Sequence, residues 1–451
     1  MALKFYNTLS RAKEDFSPIG KKEVLFYSCG PTVYNYPHIG NYRAYIFADT
    51  LKRVLSYGGY KVKHIMNLTD IDDKTIRDSQ KEGKTLKEFT EFYTEEFYKD
   101  IKSLNILPPK KFTKATDYID EMVDVIKKLL KNGLAYKSED GSVYFNIKKF
   151  SNYGKLSHLV IENQKENASG RIKKDEYGKD DVHDFALWKA WDEKDGDVFW
   201  ETSLGKGRPG WHIECSAMSM ATLGEQIDIH TGGVDNIFPH HENEIAQSEG
   251  ATGKPFVKYW MHNEWVLVDQ KKMAKSDKNF YTLRDLTDKD INPIAYRFWL
   301  LMANYRTRVN FVWEALGGAE VALKRLYHLY TELGEKIGKV NTEYQNKFRT
   351  FVEDDLDTPR ALVVLWDLLK DEKISNADKK ATVLDFDQVL GLGFDKLKEE
   401  KVPEKVKLLI LEREKARVDK DFKKSDELRK EINSLGYEIK DTNEGQKVSR
   451  I

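Results

Sequence analysis

Residues 24–41 read VLFYSCGPTVYNYPHIGN, and this stretch decides the fold. Its apolar and aromatic start runs into Ser-Cys-Gly-Pro, which predicts a buried strand that ends in a turn. A helical pattern over Tyr42–Leu55 follows, and a second strand is predicted near Val62–Asn67. Apolar residues then recur at helical spacing from Phe89 to Leu104. Strand, helix, strand and helix in this order are typical of a parallel α/β sheet.

The bulk composition limits the class of protein. A chain of 451 residues is too long for one compact core, so we expect several domains. Its 40% hydrophobic content excludes an intrinsically disordered chain. Acidic and basic residues both number 74, so the net charge is zero and a nucleic-acid partner would have to bind through local basic patches.

The two cysteines and the chain start indicate the compartment. A disulfide scaffold is implausible with only Cys29 and Cys215, so a reducing cytosol is the simpler setting. The first residues contain no apolar stretch suited to a signal peptide, and no apolar run approaches the ~20 residues of a membrane-spanning helix. We therefore expect a soluble, cytoplasmic protein.

Organisation changes along the chain. Residues 151–210 are rich in Gly, Asp and Lys with scattered tryptophans, which indicates an insertion into the α/β domain. From Ile294 onward the pattern is almost wholly helical, and the charged run Lys396–Lys401 suggests a linker before a terminal module. Basic residues of that module could form a helical stripe, although a solvated helix with paired charges is the simpler interpretation; they are Arg413, Arg417, Lys420, Lys423 and Lys424.

Two short elements suit a nucleotide. Pro37–Asn41 stands where a strand and turn give way to a helix, whose free N–H groups and positive dipole end favour phosphate. His38 and Asn41 can donate hydrogen bonds to phosphate oxygens. Lys272-Met273-Ala274-Lys275-Ser276 could clamp a pyrophosphate electrostatically. Each element alone is a weak signal, since the first occurs by chance in loops and the second resembles any solvated basic loop.

A third set of residues suits a metal. His240 and Glu244 are four residues apart and share a helix face. Together with Cys29 and Cys215 they offer two thiolates, an imidazole and a carboxylate, a donor set that selects zinc. Their spacing is not that of a zinc finger, so two buried core cysteines beside a helix-start histidine remain an alternative.

Six blocks of the chain carry a resemblance to a known family. The histidine and lysine elements resemble the paired HIGH and KMSKS signatures of class I aminoacyl-tRNA synthetases. All six together resemble the cysteinyl-tRNA synthetase family over nearly the whole chain; they are residues 29–34 (CGPTVY), 37–40 (PHIG), 67–74 (NLTDIDDK), 210–218 (GWHIECSAM), 238–247 (FPHHENEIAQ) and 272–276 (KMAKS).

The resemblance implies a role for each matching residue. The zinc ligands, one ion per chain, would be Cys29, Cys215, His240 and Glu244, and only the resemblance ranks them above His241 and Glu242. The cysteine pocket would include Gly30, Thr69 and Trp211. The nucleotide site would include Thr32, His38, Asn41, Gly233, Asp235 and Lys275, and catalysis would use His38, Asn41, Lys272, Lys275 and Ser276.

The family's chemistry gives the zinc a purpose. A pocket rejects a near-isostere such as serine only by ~10²-fold. A metal that binds the substrate thiolate discriminates by ionisation instead, because a serine hydroxyl ionises far less readily than a thiol. The resemblance further implies ATP with Mg²⁺, a cysteinyl-adenylate intermediate, and tRNA-Cys and L-cysteine as partners, with no membrane association and a monomeric enzyme.

Three departures from the family pattern are notable. Asn41 replaces the final His of the first signature, which keeps hydrogen-bonding capacity but no titratable ring. Ala274 replaces a Ser in the second signature, and Asp277-Lys278 stands where such enzymes often have Leu-Gly.

The expected fold class is α/β: a Rossmann-like parallel-sheet catalytic domain with an insertion, followed by a helical-bundle domain and a small C-terminal anticodon-binding module. The expected boundaries are 1–120 and 211–265 for the two catalytic halves, 121–210 for the connective insertion, 266–305 for the signature-loop and stem-contact region, 306–400 for the helical bundle and 401–451 for the anticodon-binding module.

Two rival functions stay open. A ligase that activates cysteine and joins it to an amino sugar would resemble the catalytic half, but the module at 401–451 argues against it. A non-catalytic zinc- and RNA-binding descendant of a synthetase is disfavoured because His38, Lys272, Lys275 and all four ligand candidates are present.

Overall fold

The computed structural model describes residues 3–20, 23–158, 184–273, 279–397, 403–442 and 445–450. The predicted residues Lys275 and Ser276, and the departures at positions 274, 277 and 278, lie outside these ranges. The chain divides into two compact units, Met1–Asp395 and Lys396–Ile451.

The strands, in chain order, are β1 (Lys4–Asn7), β2 (Ala12–Asp15), β3 (Glu23–Ser28), β4 (Lys61–Leu68), β5 (Lys111–Lys114), β6 (Ala135–Lys137), β7 (Val143–Phe145), β8 (Phe185–Ala190), β9 (Trp200–Thr202), β10 (Gly205–Pro209), β11 (Ile227–Gly233), β12 (Val257–Asn263), β13 (Val266–Val268), β14 (Lys271–Lys272), β15 (Val309–Phe311), β16 (Tyr437–Thr442) and β17 (Gly445–Arg450).

The α-helices are α1 (Ile39–Tyr57), α2 (Asp73–Lys81), α3 (Leu86–Ser103), α4 (Ile119–Lys131), α5 (Trp211–Leu223), α6 (Glu242–Thr252), α7 (Leu283–Thr287), α8 (Pro293–Leu301), α9 (Trp313–Thr331), α10 (Thr342–Val352), α11 (Thr358–Lys370), α12 (Asn376–Leu390), α13 (Glu404–Val418) and α14 (Phe422–Ser434). No helix within the described ranges has the length and apolarity that crossing a membrane requires.

A parallel five-stranded sheet in the order β12-β11-β3-β4-β5 forms the centre of the first unit. This confirms the predicted α/β class, and the predicted strands and helices correspond to β3, α1, β4 and α3. The chain runs outward from β3 to β5 and then returns to place β11 on the other side of β3. Such a reversal of strand order leaves a crevice at the carboxyl ends of the strands, where ligands of open α/β sheets bind.

Burial on both faces explains the apolar strands of this sheet. Val24, Phe26, Ile227 and Ile229 are fully buried. Helix α1 packs against β4 and β11, whereas α5 packs against β3, β4 and α6. The carboxyl edge of the sheet is therefore framed by the start of α1 and by the helix pair α5 and α6.

An antiparallel sheet in the order β6-β7-β8-β10-β9 is inserted between β5 and β11. Arg208 on β10 attaches the insertion to α2, because its guanidinium pairs with Asp73 at the start of that helix and, at 2.9 Å, with Asp195 of the insertion. Lys189 on β8 pairs with the same Asp73 carboxylate at 2.9 Å. The insertion thus has its own strands and a charged attachment to the domain that carries it.

A buried ion pair joins the helical region after residue 293 to α1. Arg297 on α8 is fully buried and contacts Asp49 on α1, with Nη2 and Oδ2 2.6 Å apart. Its Nε also donates to the Leu390 carbonyl at the end of α12, at 2.8 Å. The predicted helical pattern from Ile294 onward is confirmed by α8 to α12.

The second unit consists of the helix pair α13 and α14 and the hairpin β16–β17, around a core of Val406, Leu409, Leu428, Ile432, Tyr437 and Ile439. Arg413 cannot belong to the exposed basic stripe that the sequence left open, because it is buried. Its Nη1 contacts Asp441 at 2.9 Å and Gln446 at 2.6 Å, so its charge is used inside the unit.

Candidate active site and metal centre

A cavity of about 430 Å³ opens at the carboxyl edge of the parallel sheet, where the strand order reverses. Predicted site residues from five chain segments line it together; they are Cys29, Gly30, Thr32, His38, Asn41, Thr69, Trp211, Gly233, Asp235, His240 and Lys272. The other two predicted ligands, Cys215 and Glu244, are buried on α5 and α6. The structure therefore brings the described candidates to one place.

His38 and Asn41 form the start of α1. His38 is the N-cap, and its backbone N–H donates to the Asn41 side-chain oxygen at 3.0 Å. Burial lowers the pKa of His38 to about 4, although Asp235 opposes this shift. The imidazole is therefore neutral near pH 7 in the ligand-free structure and can meet a phosphate as a hydrogen-bond partner.

Two glycines permit close approaches that the cavity needs. A Cβ on Gly30 would lie 1.8 Å from the backbone oxygen of Asn67. The loop after β3 can therefore approach the end of β4 this closely only with glycine at position 30. A Cβ on Gly40 would lie 2.5 Å from the Met273 methyl group, so Met273 lies against the start of α1.

Four candidate ligands converge beside this cavity. One ligand atom from each of Cys29, Cys215, His240 and Glu244 lies within 4.8 Å of all the others. A second set, in which His230 and His241 replace Cys215 and His240, meets the same distance limit. Distance alone therefore does not select the ligands.

The histidines of both sets contact other candidate ligands. His230 Nε2 lies 2.9 Å from Glu244 Oε2, and His241 Nε2 lies 3.2 Å from Cys29 Sγ, so both nitrogens face ligand atoms. His240 Nδ1 contacts His212 Nδ1 at 2.9 Å, and His240 Nε2 lies 3.1 Å from Glu244 Oε1, so its ligand nitrogen also points toward the other candidates. Metal-bound histidines commonly use their second nitrogen for a contact such as that of Nδ1 here. The set Cys29, Cys215, His240 and Glu244 differs in offering two sulfur donors, which zinc prefers.

An orphaned carboxylate oxygen supports a bound cation. Glu244 Oε1 is fully buried and makes no hydrogen bond, although His240 Nε2 is 3.1 Å away. A buried acceptor without a partner costs about 1–3 kcal/mol, and a cation between these ligand atoms would satisfy it. The donor set of two sulfurs, one imidazole and one carboxylate fits zinc.

The cysteine pair also requires a bound cation if both thiols are to be ionised. A hydrogen bond between the thiols holds the pKa of Cys29 below its usual value and raises that of Cys215. The pair accepts one negative charge readily, whereas two adjacent thiolates repel each other in a buried site unless a cation is present.

The neighbouring candidates His241 and Glu242 have other contacts. Glu242 accepts backbone N–H bonds from Gly154, Leu156 and Ser157 at 2.9, 3.1 and 2.7 Å, so it holds the end of the described insertion segment. His241 lies between Cys29 and His262, whose Nε2 is 2.8 Å from His241 Nδ1.

Sequence reasoning missed four side chains around the ligands. His212, His230 and His262 contact ligands or their partners, and Glu214 accepts a hydrogen bond from Thr69 at 3.0 Å. His212 and Glu214 lie inside the motif at residues 210–218, and this position alone could have indicated a role in the site. His230 and His262 lie in β11 and β12, where strand patterns gave none.

Fold and sequence family together define the class of protein, an α/β enzyme with the class I tRNA synthetase fold. The structure of Mycobacterium tuberculosis methionyl-tRNA synthetase in complex with methionyl-adenylate matches it with a TM-score of 0.56 at 13% identity, over 82% of this chain and 90% of that chain. The family model for the tRNA synthetases class I (C) catalytic domain matches residues 15–321, and that for the cysteinyl-tRNA ligase anticodon binding domain matches residues 399–448.

Curated relatives specify the family. The cysteine--tRNA ligase of Chlamydia muridarum is 46% identical over 481 residues, covering 100% of both chains. That of Brachyspira hyodysenteriae is 46% identical over 469 residues, covering 99% of both. The chain belongs to the cysteine--tRNA ligase family of class I aminoacyl-tRNA synthetases.

Proposed function

We propose that this enzyme charges tRNA-Cys with L-cysteine through a cysteinyl-adenylate, and that zinc on Cys29, Cys215, His240 and Glu244 recognises the substrate thiol. One observation carries the proposal: this four-residue donor set adjoins a cavity that also contains the start of α1. A zinc ion there would supply a Lewis acid that favours the thiolate form of the substrate.

The nucleotide would lie at the other side of the cavity. The positive dipole end of α1 would favour phosphate, and Thr32, Gly233 and Asp235 line the same space. Lys272, with Lys275 and Ser276 of the second signature, would neutralise charge that builds on the pyrophosphate. ATP would enter with Mg²⁺.

The reaction then needs no protein nucleophile. The cysteine carboxylate attacks the α-phosphate, and pyrophosphate leaves. A ribose hydroxyl of the tRNA end next attacks the carbonyl carbon of the adenylate, and AMP leaves. The chain's residues orient the reactants: Gly30, Thr69 and Trp211 would hold the amino acid, and Trp211 stacks on His240 with ring centroids 4.4 Å apart.

The domain roles form part of the same proposal. Residues 1–120 and 211–265 would hold the chemistry, 121–210 the connective insertion and 266–305 the signature loop and stem contacts. The helical bundle 306–400 would precede the anticodon-binding module 401–451. We propose a monomer that works in the cytoplasm.

Two assays on the full-length protein test this function. Cysteine-dependent exchange of pyrophosphate into ATP should occur, and a tRNA-Cys transcript should be acylated with labelled cysteine. Exchange without transfer to tRNA would favour the amino-sugar ligase. Absence of exchange with cysteine, zinc and Mg²⁺ present would favour a non-catalytic protein.

The metal assignment has its own test. Cys215→Ser should lose bound zinc, because a hydroxyl does not replace a thiolate ligand, and should weaken selection of cysteine over serine more than ATP affinity. Ser219→Ala on the same helix is the matched control, since Ser219 Oγ donates only to a backbone oxygen. Metal analysis that finds equal zinc in Cys215→Ser and the control would refute the assignment.

A further inference from the structure

The Thr69 hydroxyl is held by two neighbours at the edge of the cavity. Thr69 is buried just beyond the end of β4 and lines the cavity. Its Oγ1 donates to Glu214 Oε2 at 3.0 Å and accepts from Asn67 Nδ2 at 3.2 Å. The Asn67 oxygen in turn accepts the Gly30 N–H at 2.7 Å, which fixes the orientation of the amide.

These contacts determine what the hydroxyl offers to a ligand. A hydroxyl has one proton and two lone pairs. Glu214 takes the proton and Asn67 uses one lone pair, so a single acceptor position remains. Thr69 Oγ1 donates to Glu214 Oε2, which accepts this bond as a carboxyl oxygen that carries no proton.

We propose that Glu214 is a positioning residue that fixes the Thr69 hydroxyl as a hydrogen-bond acceptor for the α-ammonium group of the amino acid. The proposal rests on the proposed function and extends it. Glu214 itself does not line the cavity and acts through Thr69.

The position of Thr69 in the cavity favours the substrate ammonium group as the donor to its hydroxyl oxygen. Cys29, which would place the substrate thiol, follows β3, and Thr69 follows the adjacent strand β4. The substrate carboxylate must stay free to reach the α-phosphate near His38. The ammonium is the remaining polar group of cysteine, and it can only donate. A fixed acceptor here distinguishes an amino acid from a simple thiol acid.

A pair of ligands isolates this contact. Cysteine and 3-mercaptopropionate share the thiol and carboxylate, but only cysteine has the ammonium group. Dissociation constants for both are measured by calorimetry on full-length, zinc-loaded wild type and on Glu214→Leu, Glu214→Gln, Thr69→Val and Thr69→Ser. Zinc content is measured for every variant.

We expect Glu214→Leu to weaken cysteine binding roughly tenfold to a hundredfold, the usual range for a hydrogen bond to a charged group. Binding of 3-mercaptopropionate and zinc content should change by less than about twofold. Glu214→Gln keeps an acceptor oxygen and should restore most of the cysteine affinity, as should Thr69→Ser. In Thr69→Val, adding Glu214→Leu should cause little further loss, because both changes remove the same interaction.

Other results would overturn the proposal. Equal weakening of both ligands, loss of zinc, or a weakened ATP affinity in Glu214→Leu would assign Glu214 a structural or nucleotide role. Unchanged cysteine binding in Glu214→Leu and Thr69→Val would also contradict it. Failure of the proposed function looks different, because wild type would then bind neither thiol ligand and show no cysteine-dependent exchange.

Discussion

His64 on β4 is a buried histidine whose ring stacks on Phe26, with centroids 4.3 Å apart, and whose Nε2 contacts Ser28 Oγ at 2.8 Å. Burial, and secondarily the Lys52 charge, lower its pKa to about 3. The unfolded chain, with a pKa near 6.5, therefore binds this proton first as pH falls. His64 thus contributes stability that is present above about pH 6.5 and is lost as pH falls toward about 3.

His64→Gln should remove this pH dependence. Between about pH 7.5 and about pH 5, wild type should lose about 2 kcal/mol more unfolding free energy than the variant does. Urea unfolding at both pH values measures the difference. His328→Gln, at a half-exposed histidine of α9, is the control that should match wild type. Parallel pH profiles for wild type and His64→Gln would contradict the assignment.

Single residues also show how far sequence reasoning reaches. The four ligand candidates are predicted together because each lies in a motif, and their convergence requires that α5 and α6 pack together beside the end of β3. Glu214 and His212 lie in the same motif as Cys215, yet their roles depend on Thr69 and His240 from other segments. Residue spacing within one segment does not predict a hydrogen-bond partner that lies in another segment and comes close only when the chain folds.

At the scale of elements, the close approach of the chain after β3 to the end of β4 depends on Gly30. A side chain there would meet backbone, which cannot rotate away, so the two strand ends would have to separate. Gly30→Ala should cost about 1–3 kcal/mol and should weaken cysteine binding, because the Gly30–Asn67 hydrogen bond orients Thr69's neighbour. Urea unfolding and cysteine titration measure both effects.

A glycine in α9 provides the matched control. A Cβ on Gly318 would meet no heavy atom within 4 Å, and the residue lies inside the helix. Gly318→Ala should therefore raise the unfolding free energy by roughly 0.5–1 kcal/mol through helix propensity. If Gly30→Ala were as stable as Gly318→Ala, the close approach would not be what requires glycine at position 30.

Elements with strong periodicity were predicted, and weak ones were not. α1, α3 and the region α8 to α12 are long enough for a helical pattern to repeat. The inserted sheet has strands of three to six residues, too short for alternation to stand out from its polar surroundings. Its attachment through Arg208 to Asp73 joins residues distant in sequence, which no local pattern encodes.

On the scale of the whole molecule, the order of the parallel strands places the site. The sequence motifs indicated a parallel sheet but not that β11 would return beside β3. That return puts the Cys29 loop, the start of α1 and the turn before α6 around one cavity. The candidate metal site and the candidate nucleotide site lie side by side, because a single reversal in strand order opens one crevice that contains both.

The two compact units give the last prediction. Each has its own core, and residues 399–448 of the second match an anticodon binding domain. A chain ending at Asp395 keeps every described residue of the cavity, so cysteine-dependent pyrophosphate exchange should stay within about twofold of the full chain. Charging of tRNA-Cys at low tRNA concentration should fall roughly a hundredfold or more, because a second binding module no longer raises the effective concentration. Steady-state acylation at varied tRNA concentration measures this, and equal kcat/KM for tRNA in both chains would show that the second unit does not bind it.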